Sequence, residues 1–229
     1  MAVTYPFKGR LAAKALVRLL SGFIVLSTTL FLPAGTTHFW QAWAYMAVVF
    51  LPMSAVFLYL LVADPELLAR RIKSQEHDPK QKRIIALGTF LCLLTFVIPG
   101  IDRRFEWSNI PLFVCVSALF LVLVGYFLFV LVLRENRFAS RIIEVNPAQN
   151  VITTGPYAVV RHPMYFATIV MLLSTPLALG SWWALIPASF MIPVLVVRII
   201  FEEAFLSKEL PGYCEYSMTT KYRLLPGIW

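Results

Sequence analysis

The sequence predicts an all-α, polytopic membrane helix bundle of about six transmembrane helices with both termini cytoplasmic. Of its 229 residues, 59% are hydrophobic and only 14% are charged, and the mean hydropathy of +0.76 lies far above that of a soluble domain of this length. Apolar windows of roughly the 20 residues that cross a bilayer at about 1.5 Å rise each recur between charge clusters. Charge placement sets the orientation. With the amino terminus inside, only Arg103 and Arg104 of the 20 Lys and Arg residues fall outside, as the positive-inside tendency requires.

The windows run from Ala15 to Pro33, His38 to Ala63, Ile84 to Ile101, Asn109 to Leu133, Pro163 to Gly180, and Trp182 to Leu206. The first follows Lys8, Arg10 and Lys14, carries Arg18 near its start, and has no A-x-A cleavage site after it, so it reads as an uncleaved helix. At the second, His38, Trp40 and Trp43 read as interfacial anchors, because their rings are apolar and their N–H groups want water. The loop 64–83, DPELLARRIKSQEHDPKQKR, opens with an N-cap, Asp64, and a proline suited to the first helical position. It reads as a short interfacial helix, with His77 solvated. Trp107, Trp182 and Trp183 fit the opposite, external boundary, and Pro52, Pro99, Pro176, Pro187 and Pro193 are expected to bend their helices.

No internal repeat or separate soluble domain interrupts this pattern, so residues 1–229 form one membrane domain. Within it, 1–133 are amino-terminal spans and 134–229 the candidate catalytic region. The formal charge of +8 suits an anionic leaflet and calls for no nucleic acid. Cys92, Cys115 and Cys214 are too widely spaced for a CxxC element and indicate neither a disulfide framework nor a metal site.

Polar residues gather at the inner side of the last two spans in three pieces: QNVITTGPY at 149–157, RHPMY at 161–165, and RIIFEEAFL at 198–206. Pro163 suits the first position of a helix, which places His162 at the N-cap and leaves backbone N–H groups favourable to an anion. Tyr165 flanks the same entrance, and the Gly155-Pro156 turn brings Tyr157 near it. An ordinary interfacial helix start with anchoring aromatics explains this piece equally well.

Arg198 lies about 16 residues, or roughly 24 Å, into the last window, near the inner edge of the hydrocarbon, where a charge usually faces a cavity or a partner. Glu202 follows at i+4 on the same face, and Glu203 is turned about 100° away. An intrahelical ion pair worth roughly 0.2–0.5 kcal/mol poorly explains three charges at the end of a membrane helix. A binding role is favoured.

Three stretches carry a resemblance: GPYAVVRHPMY, RIIFEE, and ELPGYCEYSMTTKYRLLPGIW. They closely resemble the isoprenylcysteine carboxyl methyltransferase family of integral membrane enzymes, and the related phospholipid methyltransferases share the RHPxY and EE elements. The likeness covers roughly residues 134–229. It implies S-adenosylmethionine as cofactor, consistent with the lack of a G-x-G-x-x-G fingerprint. Gln149, Asn150, Val151 and Ile152 would line the adenosine, Tyr157, His162, Pro163, Met164 and Tyr165 would complete that wall, and Glu202 would bind the cofactor from the last helix. Arg198 matches the position associated with the methyl acceptor. Ala167 stands where many members have glycine.

A carboxylate acceptor is already ionised and needs no general base, whereas an amine or thiol would need deprotonation, with Glu203 or His162 as candidate bases. The expected partner is a lipophilic small molecule or lipid, including a prenylcysteine-like carboxylate, entering from the bilayer to a site on the cytoplasmic side. Two other readings are carried: a reductase of isoprenoids or sterols using NADPH, and a non-catalytic transporter or scaffold. The near absence of charge across the spans weighs against the last.

Overall fold

Apolar length is what makes the helices. The computed structural model describes residues 5–72, 79–140, 142–146 and 148–229, and its regular elements are all helical among them. In chain order they are α1 (Tyr5–Ala34), α2 (Trp40–Ala63), α3 (Pro65–Ile72), α4 (Pro79–Phe105), α5 (Leu112–Glu135), α6 (Pro163–Ala178), α7 (Leu185–Glu209) and α8 (Tyr213–Thr219), with a single 3₁₀ turn at Gly155–Ala158. Five of these, α1, α2, α4, α5 and α7, are long and apolar enough to cross a membrane. The chain is a multi-pass membrane protein.

The window at Pro163–Gly180 becomes the shorter α6, whose 16 residues span about 24 Å, less than the roughly 30 Å of a hydrocarbon core. The window at Trp182 opens with a turn, and helix begins only at Leu185. In the loop 64–83, α3 is the expected short helix. Its N-cap Asp64 accepts a hydrogen bond from the Leu67 backbone N–H at 3.1 Å. His77 lies outside the described residues.

Contacts between connections show two ends to the bundle. At one end Arg103 donates to the His38 carbonyl at 3.3 Å, and the Trp182 N–H donates to Ser108 Oγ at 3.1 Å. At the other, Arg137 Nε meets Asp64 Oδ2 at 2.9 Å. Successive long helices, α6 included, therefore carry the chain back and forth between the two ends. The tryptophans Trp40, Trp43, Trp107, Trp182 and Trp183 all belong to the first end and are exposed, so Trp107, Trp182 and Trp183 share the boundary of Trp40 and Trp43 instead of standing opposite, because an even number of spans separates these connections.

That end is closed by Asp102, a residue the sequence reading passed over. Its carboxylate is 2% exposed and accepts from the Ser108 N–H at 2.7 Å and Ser108 Oγ at 2.6 Å. Ser181 Oγ also donates to it. One acid thus ties the end of α4 to the α4–α5 and α6–α7 connections at this end.

Inside the bundle, backbones approach closely where side chains vanish. A Cβ on Gly100 would fall 2.5 Å from the Leu30 carbonyl oxygen, between α4 and α1. On Gly125 it would fall 2.6 Å from Met171 Cγ and 3.1 Å from the Ala167 carbonyl oxygen, between α5 and α6. Small residues at such crossings are how membrane helices gain van der Waals contact, because lipid offers no hydrophobic drive between them. The fully buried Ala167 is accommodated by the glycine on the facing helix.

Asp102→Ala removes the acceptor shared by three donors and is expected to destabilise the bundle by about 2–3 kcal/mol, read as a lower Tm in detergent. Asp102→Asn, which keeps one acceptor oxygen, should lose less.

Candidate active site

The site is built at the end of the bundle where α6 begins and α7 finishes. The described residues of the connection from α5 to α6, 136–140, 142–146 and 148–162, fold over this end, and the segment after α7 closes it from the other side. Between them lies a cavity partly open to solvent, set between helices as small-molecule sites often are.

Two layers of polar contacts surround α7. The first faces the cavity. Arg198 Nε donates to Tyr165 Oη at 2.9 Å, and Tyr165 Oη donates to Glu202 Oε2 at 2.6 Å. The i,i+4 pair on α7 is thus bridged by a tyrosine reaching from the first turn of α6. Arg198, Tyr165 and Glu202 all line the cavity.

The second layer lies behind the first. Glu203 Oε1 accepts from Arg161 Nε at 2.6 Å and contacts His162 Nε2 at 3.2 Å, while Oε2 accepts from Arg223 Nε at 2.7 Å. Arg161 reaches onward with Nη1 to the carbonyls of Ser217, Thr220 and Lys221 at 3.2, 2.9 and 3.1 Å. Backbone bonds run parallel: the Arg161 N–H to the Tyr222 carbonyl and the His162 N–H to the Arg223 carbonyl, both 2.9 Å. A buried carboxylate on a membrane helix thereby pins the α6 entrance to the carboxyl-terminal segment.

This arrangement corrects one expectation. Glu203 is not part of the cavity wall, and both its oxygens are committed to donors, so it fits an anchor and not a proton acceptor for substrate. The other expected residues, Gln149, Asn150, Val151, Ile152, Tyr157, His162, Pro163, Met164, Tyr165, Arg198 and Glu202, all line the one cavity. Gln149 also holds its own loop, with Oε1 accepting from the Asn146 N–H at 3.2 Å. His162 is the N-cap residue and Pro163 the first helical residue of α6, because proline's missing N–H is no loss there.

Sequence reasoning missed Arg161 as an organiser, although it stands in the quoted RHPMY, and it missed Asn136, Tyr213, Tyr216 and Arg223. Asn136 Nδ2 donates to Tyr157 Oη at 2.9 Å, and Tyr216 Oη donates to the Tyr157 carbonyl at 2.7 Å. Burial pushes the phenols of Tyr157 and Tyr216 each up to about 12, so both remain protonated across the physiological range. The available signal was the tyrosine spacing in GYCEY, where Gly212 adopts φ 83° to start α8, a left-handed conformation natural to glycine.

The family model described as phospholipid methyltransferase matches residues 113–211, from the first turn of α5 to just past the end of α7. No curated protein matches the chain. The match bears out the resemblance of this region to membrane methyltransferases. With the five apolar helices, it supports a membrane methyltransferase.

Glu203→Gln leaves Arg161 and Arg223 facing a neutral amide in a buried place. Breaking one side of such a pair is expected to destabilise by about 3–5 kcal/mol. The check is a lowered Tm in detergent together with faster hydrogen exchange across residues 213–229, the segment released first if the clamp is what holds it.

Proposed function

We propose that this chain is an S-adenosylmethionine-dependent methyltransferase acting on a lipophilic acceptor, such as a prenylcysteine-like carboxylate or a lipid, that arrives from the bilayer. The observation that carries the reading is the Arg198–Tyr165–Glu202 line, which sets a cation and an anion side by side on one cavity wall at the end of an apolar bundle. The match to a methyltransferase family model over the helices that build this wall supports methyl transfer over nicotinamide-dependent reduction.

The residues present fit the cofactor. The cavity is lined by both polar and apolar side chains, the mixture found in small-molecule sites. Glu202 presents a carboxylate suited to hydroxyl donors or to positive charge, and the segment 149–152 supplies backbone and apolar surface. When bound, the cofactor supplies a methyl group on a positively charged sulfur. Arg198, with Nε held by Tyr165, presents a planar fork that matches a carboxylate in two places, and the apolar surroundings strengthen that attraction. The main task of the site is alignment, since reacting atoms held about 3–3.5 Å apart gain most of their advantage from position.

A carboxylate acceptor requires no proton removal. For an amine or thiol, His162 is the available base, its ring oriented by Glu203 through Nε2 as a carboxylate orients histidine in other catalytic arrangements. Concentration of Lys and Arg on the connections at the site's end supports a cytoplasmic placement for it and for both termini.

Purified chain should bind S-adenosylmethionine and not NADPH in parallel titrations, with Glu202→Ala weakening the former at least roughly tenfold. Tight NADPH binding without S-adenosylmethionine binding would sink the proposal. In native membranes given methyl-labelled cofactor, label should enter the lipid extract, and Arg198→Ala should reduce transfer about 100-fold; unchanged transfer in that variant removes Arg198 from acceptor binding.

A further inference from the structure

Arg198 and Glu202 stand at i,i+4 on α7, a spacing that brings Cβ atoms to about 5–6 Å and lets long charged side chains meet directly. At the edge of an apolar bundle their attraction exceeds that of the same pair in water. Yet among the described residues no nitrogen of Arg198 lies within 4 Å of a Glu202 oxygen. The neighbouring acid behaves differently, since both oxygens of Glu203 meet arginines directly, at 2.6 and 2.7 Å.

What stands between the two charges is the hydroxyl of Tyr165. A guanidinium can only donate and an ionised carboxylate can only accept, so the phenol's single proton goes to Glu202 while its oxygen receives Arg198 Nε. The contacts are 2.6 Å on the acid side and 2.9 Å on the cation side. A neutral group thus occupies one position on each ion and cancels neither charge. Because Tyr165 comes from α6, its place is set from outside α7. Its N–H donates to the His162 carbonyl at 3.1 Å, and its ring lies beside the His162 ring, with centroids 5.8 Å apart. His162 is in turn held by Glu203. All three residues of the line border the cavity, and a closed Arg198–Glu202 pair there would present a wall with no net charge at either position.

We propose that Tyr165 is a positioning residue whose hydroxyl keeps Arg198 and Glu202 out of a direct ion pair, leaving a separate anion for the cofactor and a separate cation for the methyl acceptor. The inference rests on the cofactor reading above and adds to it the group that keeps its two charges distinct.

Tyr165→Phe keeps the ring and removes only the hydroxyl. The full chain in detergent is titrated calorimetrically with S-adenosylhomocysteine, which has the cofactor's frame without a transferable methyl group, as wild type, Tyr165→Phe, Arg198→Ala and the double variant. In the wild-type background Tyr165→Phe is expected to weaken binding roughly 3- to 10-fold, as Glu202 closes onto Arg198. In the Arg198→Ala background the same change should cost less than about twofold, since no cation remains for Glu202 to close onto. The ligand-free Tm of Tyr165→Phe should be unchanged or raised. An equal or larger loss in the Arg198→Ala background overturns the inference, because the hydroxyl would then act on the cofactor directly. Unchanged affinity in Tyr165→Phe overturns it too, and leaves the cofactor reading intact. A lowered ligand-free Tm assigns the hydroxyl a structural role and also overturns it. If wild type does not bind the probe, the cofactor reading itself fails and this inference with it.

Discussion

A carboxylate near the end of a membrane helix must be neutralised where it stands, and the way Glu203 is neutralised organises this protein's functional end. Its partners come from two other places in the chain: Arg161 and His162 just before α6, and Arg223 beyond α8. Neither place could be held by apolar packing alone, because both are short polar segments at the edge of the bundle. Desolvation makes an isolated ion unfavourable there, so satisfying Glu203 demands that both segments converge on it. Arg161 then extends the clamp by binding three carbonyls of the segment after α8.

Once that clamp is closed, the cavity follows. Glu202 and Glu203 are neighbours in sequence but about 100° apart around α7, so one carboxylate anchors the fold while the other faces the cavity. The same division applies on the α6 side: Arg161 turns toward Glu203, and Tyr165 reaches Arg198 and Glu202. His162 stands between the layers, bonded to Glu203 and exposed to the cavity wall. A strongly paired inner layer of this kind holds the cavity-facing side chains in one geometry, which is what an alignment-dependent reaction needs.

Helix length supplies the room. With 16 residues, α6 starts at the level of Arg198 and Glu202, while α7 continues about 10 Å past Glu202 to Glu209. The space beside those last two turns of α7 is bordered by the described residues of the α5–α6 connection and by α8. At the opposite end, Asp102 performs the corresponding closure with neutral donors from Ser108 and Ser181. Between the two ends the helices meet in close approaches at Gly100 and Gly125 and in a buried hydrogen bond between Tyr45 Oη and Thr175 Oγ1 at 2.9 Å, joining α2 to α6.

Apolar length and charge spacing are local properties, and the sequence by itself determined what depends on them: the membrane helices, the short helix after Asp64, the start of α6 at Pro163, and the gathering of polar residues at one end. Helical periodicity was enough to place Arg198 and Glu202 on one face and Glu203 on another. The resemblance in RHPMY and RIIFEE marked the segments that meet. Which carboxylate faced the cavity could not be read from that angle, since a helix wheel fixes the difference between two directions and leaves open what stands in each. Only the tertiary structure decided it, by bringing Arg161, His162 and Arg223 to Glu203 and leaving Glu202 to Tyr165. That a hydroxyl parts Arg198 from Glu202 was equally beyond the sequence, because their spacing favours a direct pair and the group that interrupts it comes from another helix, which folding alone brings near.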